Sequence, residues 1–169
     1  MASRISVPRL AGLLLLLALT TGCVRYSFRG ALPSYIDSIA IPAFEDRSRW
    51  VGLQEKLYQG TVNAFIEDGT LRVLDEETGA ALLMTGAIQE VRRRRTSVAG
   101  DETVEEEQLV VSVRIECLNR ETNKPLWSGT VSDFGVVSGS AGLDEQEAAI
   151  DEAVEKVIKD IVNRTVAAW

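Results

Sequence analysis

The sequence predicts an α+β fold, a two-layer α/β sandwich in which two amphipathic helices pack on one face of a mixed four- to five-stranded sheet. Three patterns lead to this prediction: a strand–helix–strand pattern near residue 40, an alternating meander in the middle, and a long amphipathic helix at the end. Two such helices and a sheet with one apolar face pack most simply when both helices cover that face. A chain of 169 residues is too short for two comfortable domains, so residues 35–169 are expected to form one.

The strand–helix–strand pattern lies in the first third of the predicted domain. Residues 36–44 alternate apolar side chains and predict a strand, in which Pro42 indicates an edge position or the end of the strand. Residues 51–69 place apolar side chains at helical spacing, and Gly69 predicts the end of that helix. Residues 70–76 predict a second strand, so the segment is consistent with a right-handed βαβ crossover.

The middle of the chain predicts an antiparallel meander. Residues 81–98, 105–119 and 126–138 are strand-like, and the turns fall at 99–102 and 120–125. In the second strand, apolar and polar side chains alternate, which is typical of a sheet with one packed face and one wet face. The predicted packed side chains are Val111, Val113, Ile115 and Cys117.

The C-terminal residues 144–169 predict the clearest helix. Acidic residues crowd its start and basic residues its end, as the helix dipole favours. We expect Trp169 to pack the last turn against the sheet. The predicted buried stripe is Ile150, Val154, Val157, Ile158, Ile161, Val162 and Thr165.

Residues 1–22 have the pattern of a secretory signal peptide. Arg4 and Arg9 give a positive start, residues 10–19 form an apolar run, and small residues precede Cys23. The apolar run is too short to cross about 30 Å of hydrocarbon as a helix.

Cys23 is a candidate site of lipid attachment. The sequence LTTGC resembles a bacterial lipobox, from which Thr20 departs because leucine is usual at that position. The resemblance implies that Cys23 becomes the first residue of the mature protein and carries several acyl chains, which suffice for stable membrane attachment. Residues 23–34 would then form a tether between the lipid and the domain. The alternative is a disulfide with Cys117, but the strand pattern around Cys117 favours a small buried hydrophobe.

Composition lowers the expectation of catalysis. The chain has no histidine, which removes the commonest general base, the commonest metal ligand and every His-activated nucleophile. We therefore predict no enzyme activity, no cofactor and no metal. Removal of Arg4 and Arg9 with the signal leaves 16 basic against 25 acidic residues, a net charge of −9, which argues against a nucleic-acid partner.

Four consecutive arginines, Arg92, Arg93, Arg94 and Arg95, are the most conspicuous charged feature. One interpretation is a docking patch for phosphate or carboxylate groups, which arginine grips with two hydrogen bonds. The other is structural: a turn centred near residues 100 and 101 would place acidic residues opposite the last two arginines, and such pairs stabilise a hairpin. The predicted pairs are Arg94 with Glu107 and Arg95 with Glu106, which leaves Arg92 and Arg93 without acidic partners.

Strand geometry adds a constraint on these arginines. Because successive side chains point to opposite faces, Arg92 and Arg94 cannot share a face with Arg93 and Arg95. One pair would face the helices unless the hairpin projects past them, and we predict such a projection.

The order and spacing of five segments resemble LptE-type lipoproteins, the lipopolysaccharide-assembly lipoproteins of the outer membrane. The resemblance spans nearly the whole chain after the signal. The segments are residues 22–48, 53–76, 82–91, 123–129 and 153–169.

The resemblance implies a non-enzymatic protein, lipid-anchored at the periplasmic face of the outer membrane. Its expected partners are an LptD-like β-barrel, which it would plug and help to assemble, and lipopolysaccharide, which basic residues near one end of the sheet would contact. Assigning that contact to Arg92, Arg93, Arg94 and Arg95 is a hypothesis. The alternative function is a structural or accessory lipoprotein of another envelope secretion or assembly machine.

Overall fold

The computed structural model describes Pro33, residues 35–97 and residues 105–168. The predictions for the signal peptide at 1–22, for Cys23 and most of its tether, for the turn at 99–102 and for Trp169 lie outside the described residues. The elements are β1 (Ser38–Ala40), β2 (Glu45–Asp46), α1 (Leu53–Asp68), β3 (Arg72–Leu74), β4 (Leu82–Ser97), β5 (Glu105–Asn119), β6 (Lys124–Ser138) and α2 (Leu143–Val166).

The strands form one mixed sheet in the order β3-β1-β4-β5-β6, with β2 also pairing with β4. Strand β1 is parallel to both β3 and β4, whereas β4, β5 and β6 are antiparallel. The predicted mixed sheet and meander are therefore confirmed. The strand predicted over residues 36–44 is shorter and is followed by β2, because the chain leaves regular pairing around Pro42.

Both predicted helices are present. Gly69 follows α1 with a left-handed φ of 67°, and its N–H donates to the Phe65 carbonyl oxygen at 3.1 Å, so Gly69 ends the helix as expected. All seven residues of the predicted α2 stripe are buried. The two helices pack side by side on the sheet, which confirms the predicted layers.

The core lies between the helices and the sheet. Its largest fully buried side chains come from both helices and from β1, β4 and β5. They include Ile39, Leu57, Phe65, Met84, Ile88, Ile115, Ile150 and Ile161.

Helix α2 lies almost directly on the backbone of β6. A Cβ atom added at Gly135 would overlap the backbone of Ala149, so this position requires glycine. At the other end of α2, the Trp127 indole Nε1 donates to Thr165 Oγ1 at 3.1 Å. These contacts fix α2 along the length of the edge strand.

Cys117 is a free and fully buried cysteine of β5. Burial in apolar surroundings raises the pKa of its thiol to about 12, because the charged thiolate is desolvated there. The prediction of a small buried hydrophobe is confirmed. Among the helices in the described ranges, none has the length and apolarity that crossing a bilayer would require.

Candidate functional site

The arginine run lies where the sheet becomes narrow. Strands β1 and β2 pair only with residues 82–88 of β4, so beyond that point β4 is an edge strand and the sheet consists of β4, β5 and β6. We call residues 90–97 and 105–112 the distal hairpin. Charged side chains on an exposed edge strand also discourage pairing with other chains.

A β-bulge sets which arginines face the helices. From Leu82 to Ile88 the paired residue numbers of β4 and β5 add up to 201, as the sequence predicted, but from Glu90 onward they add up to 202. The extra residue, Gln89, shifts the alternation by one position. Without it, Arg92 and Arg94 would lie on the same face as buried Ile88.

The predicted cross-strand pairs are therefore wrong by one residue. Arg95 lies opposite Glu107 rather than Glu106, and Arg94 lies opposite Gln108. Arg93 lies opposite Leu109, but its side chain still reaches Glu107. The one-residue error arises from the bulge, because the predicted pairing was counted from the turn on the assumption of regular strands.

Arg93 and Arg95 lie on the helix side and share one carboxylate. Arg93 Nη1 is 2.9 Å from Glu107 Oε2, an ion pair without hydrogen-bond geometry, and Arg95 Nε donates to Glu107 Oε1 at 3.2 Å. Arg93 Nη2 also donates to Gln146 Oε1 of α2 at 2.9 Å. The hairpin extends beyond β1 and β2, but the predicted projection past the helices is wrong at Arg93, because Gln146 in the first turn of α2 contacts it.

The carboxylate of Glu107 is almost completely buried, with a side-chain exposure of 4%. A buried charge is tolerated only when it is paired, and loss of its partners leaves a costly uncompensated charge. Arg93 and Arg95 therefore have a structural role as partners of this carboxylate, and Arg93 also links the hairpin to α2. Arg95 remains 83% exposed and keeps donors free for a ligand.

Arg92 and Arg94 lie on the opposite, open side of the sheet. Arg92 Nη1 is 3.8 Å from Glu90 Oε1, a long contact between exposed groups that contributes little. Arg94 Nε donates to Gln108 Oε1 at 3.0 Å, and its guanidinium lies 6.0 Å from the centre of the Phe134 ring. Among the described residues, Arg92 has only this long contact with a carboxylate, and Arg94 forms no ion pair.

Apolar side chains surround these two arginines. Val110 and Phe134 are in register with Arg92, and Val136 is in register with Gln108 beside Arg94. Val136 is 46% exposed, which makes it one of the few exposed large apolar residues of the described chain. We call this surface the open patch: Arg92, Arg94, Phe134 and Val136, which lie around the buried side chain of Val110.

The open patch combines two kinds of recognition. Guanidinium groups bind phosphate through pairs of charge-assisted hydrogen bonds. Phe134 and Val136 offer apolar contact to a ligand that carries hydrocarbon beside its anionic group. The sequence singled out the arginines but missed Phe134 and Val136, because their position depends on the β5–β6 register.

In the described ranges, no group of three or more His, Cys, Asp or Glu side chains has the arrangement of a metal site. The open patch places two guanidinium groups beside the apolar side chains of Phe134 and Val136.

Several solved structures share this fold. A Xanthomonas campestris protein, XCC0632, aligns with a TM-score of 0.58 and 14% identity over 81% of this chain and 90% of its own. A hypothetical protein of Chlamydia trachomatis aligns with a TM-score of 0.57 and 11% identity over 78% and 97% of the two chains. A minor lipoprotein of Acinetobacter baumannii aligns with a TM-score of 0.52 and 14% identity over 78% and 94%.

The fold thus defines a class of two-helix α+β sandwich domains. Residues 36–165 match the family model described as LptE, lipopolysaccharide-assembly, and the chain belongs to that family. This finding confirms the resemblance stated from the sequence. No curated protein matches the chain in sequence.

Proposed function

We propose that this protein is a lipid-anchored, outer-membrane component of lipopolysaccharide assembly that plugs an LptD-like β-barrel and contacts lipopolysaccharide through the distal hairpin. Membership of the LptE family over residues 36–165 carries this proposal. The proposed role is binding and assembly, which needs no catalysis. Cys23 is the proposed point of lipid attachment.

The direction of β4 supports a role for the hairpin away from the membrane anchor. The described chain enters the sheet through β1, and Leu82 at the start of β4 lies opposite Ile39. Twelve residues further along the strand, Arg94 is about 40 Å from that entry point at about 3.3 Å per residue. A domain tethered before β1 would therefore present its arginines at the end remote from the tether.

We further propose that the open patch makes the direct contact with lipopolysaccharide. The guanidinium groups of Arg92 and Arg94 would bind phosphate, and Phe134 and Val136 would contact hydrocarbon. Arg93 and Arg95 would pair with the buried carboxylate, and Arg93 would link the hairpin to α2, with the exposed donors of Arg95 available as a third contact. This division of roles rests on the two faces that the bulge at Gln89 creates.

Co-purification tests the partnership. The full chain with a C-terminal tag, extracted from outer membranes in mild detergent, should bring down one large β-barrel in a fixed ratio. Recovery of small periplasmic proteins alone would contradict the proposal. A stable ring of this chain without a barrel would favour the alternative, an accessory lipoprotein of another envelope machine.

A charge-reversal variant tests the ligand surface. We expect Arg92→Glu with Arg94→Glu to weaken binding of purified lipopolysaccharide at least about tenfold, because two charge-assisted contacts are lost. The melting temperature should change by only about 2 °C. The matched control is Arg114→Glu with Lys124→Glu, which changes the net charge equally at exposed positions outside the distal hairpin. Equal losses in both variants would indicate a non-specific charge effect and would contradict the open patch as the site.

A further inference from the structure

A shallow groove of about 510 Å³ runs between the C-terminal halves of α1 and α2. Its floor is apolar and includes Ala64, Ile158 and Val162. The helices approach closely at Gly60, where an added Cβ would lie 2.5 Å from Ile158 Cδ1. The rim is charged, with three carboxylates and one ammonium: Glu67, Asp68, Glu155 and Lys159.

The end of α1 has an unfavourable charge for a helix C-terminus. Its last turn carries Glu67 and Asp68 and no basic residue. The C-terminal end of a helix bears a partial negative charge and is stabilised by cations. Helix α2 follows this preference with Arg164 in its last turn. The last turn of α1 therefore has no cation of its own, and another part of the chain could supply one.

The described chain enters the domain at this same end. Arg72, three residues after Gly69, donates its backbone N–H to the Asp37 carbonyl oxygen at 2.9 Å. Ile36, the residue before Asp37, donates its backbone N–H to the Pro33 carbonyl oxygen at 2.8 Å. Pro33, the first described residue, therefore lies close to the C-terminus of α1.

The segment that precedes Pro33 has the composition that the groove requires. Residues 24–32, VRYSFRGAL, carry two arginines, two aromatic residues and no acidic residue. Its charge of +2 balances the net −2 of the groove rim. Nine extended residues reach about 30 Å, whereas the groove along residues 60–68 is about 12 Å long. The segment is long enough to turn back and lie in the groove.

We propose that residues 24–32 dock in the α1–α2 groove of the same chain, with the two arginines at the acidic rim and the aromatic side chains on the apolar floor. Docking would shorten the tether and hold residue 23 near the C-terminal ends of the helices. The distal hairpin would then point away from the attachment point in a fixed orientation. The inference depends neither on lipid attachment at Cys23 nor on lipopolysaccharide binding.

Disulfide trapping in the full chain tests the contact. Phe28→Cys combined with Ala64→Cys should give a disulfide between positions 28 and 64, identified by peptide mapping. The matched control combines Phe28→Cys with Gln59→Cys, at an exposed α1 position outside the groove. We expect an initial rate at least about fivefold higher at position 64, since docking raises the effective concentration. Equal rates would overturn the proposal.

Limited proteolysis tests the charge complementarity in an independent way. Chymotrypsin cuts after Tyr26 and Phe28, and docking should slow both cuts. Reversal of the rim by Glu67→Lys with Asp68→Lys should accelerate them about tenfold, because charge-assisted contacts are lost.

The matched control for proteolysis is Glu76→Lys with Glu77→Lys, an exposed acidic pair outside the groove, which should leave the rate unchanged. Circular dichroism should show the same helix content in all three proteins. A rate that does not respond to rim reversal would overturn the proposal. Protection that increases with protein concentration would also overturn it, since a second copy would then occupy the groove.

Discussion

The two ends of the sheet differ in width and in the residues that they bury. At the proximal end, around residues 82–88, β4 lies between β5 and the short strands β1 and β2 and buries Leu82, Met84 and Ile88 completely. At the distal end three strands remain, and β4 carries four arginines with exposed side chains. Apolar packing stabilises both ends, and at the distal end the ion pairs of Glu107 are added to it. The difference separates a stable scaffold from a surface that is free to bind.

The largest expected effect is a cavity at the proximal end. Ile115 is fully buried against Phe44 and Gly86, so Ile115→Ala should lower the free energy of unfolding by about 3–4 kcal/mol. The matched distal change, Val136→Ala at a half-exposed position, should cost under about 1 kcal/mol. Urea unfolding followed by circular dichroism measures both. Equal losses of unfolding free energy in the two variants would show that both ends of the sheet contribute equally to stability.

The second prediction concerns the buried carboxylate of the distal hairpin. Arg93→Ala with Arg95→Ala should destabilise the protein by about 2–3 kcal/mol, because Glu107 would remain buried and unpaired. Adding Glu107→Leu to this variant should recover most of the lost stability, because the uncompensated charge is then absent.

The control for this ion-pair test is Arg92→Ala with Arg94→Ala on the open face, which should change stability by no more than about 0.5 kcal/mol. The assignment of a structural role to Arg93 and Arg95 alone would be contradicted by a large loss of stability in the Arg92→Ala, Arg94→Ala variant. It would also be contradicted if Glu107→Leu did not recover the stability lost in the Arg93→Ala, Arg95→Ala variant.

The same two ends differ in how well the sequence predicted them. Helix α2 was predicted because its apolar stripe repeats at helical spacing from Ile150 to Thr165, and the structure buries every member of that stripe. The pairing of β4 with β5 was correct from Leu82 to Ile88 because regular alternation and the turn position suffice there. These are local, periodic signals.

The distal register could not be predicted in the same way. The residues around Gln89 contain neither glycine nor proline, so no local signal marks the bulge. A bulge at this position moves every following residue of the strand to the opposite face of the sheet. Arg93 therefore lies on the same face as Glu107 and pairs with it, so the prediction that Arg93 lacks an acidic partner is wrong. The open patch was missed for a related reason, since Phe134 and Val136 join Arg92 and Arg94 only through pairing across β5.

The smallest expected effect concerns an exposed ion pair at the proximal end, which contrasts with the buried pair of the hairpin. Arg72 Nη2 donates to Asp37 Oδ2 at 2.6 Å, and this hydrogen bond, with a second from Ser38, lowers the pKa of Asp37 below its ordinary value of 3.8. A carboxyl group with a lowered pKa in the folded state contributes stability above its unfolded pKa and loses that contribution as the pH falls through the folded value. Asp37→Asn should therefore lower the melting temperature by only about 1 °C at pH 7, because solvent screens exposed pairs.

The difference in melting temperature between wild type and Asp37→Asn should begin to shrink as the pH falls below 3.8, the ordinary pKa of the group, and should disappear below the lower pKa of the folded state. The control Asp75→Asn, at an exposed carboxylate of the loop after β3, should show no such narrowing. If the two proteins kept a constant difference at every pH, the contact of Asp37 with Arg72 would not be the source of the stability. The ion pair of Asp37 with Arg72 connects the start of β1 to β3 at the proximal end of the sheet. If its removal changes the melting temperature by only about 1 °C, apolar packing rather than charge stabilises that end.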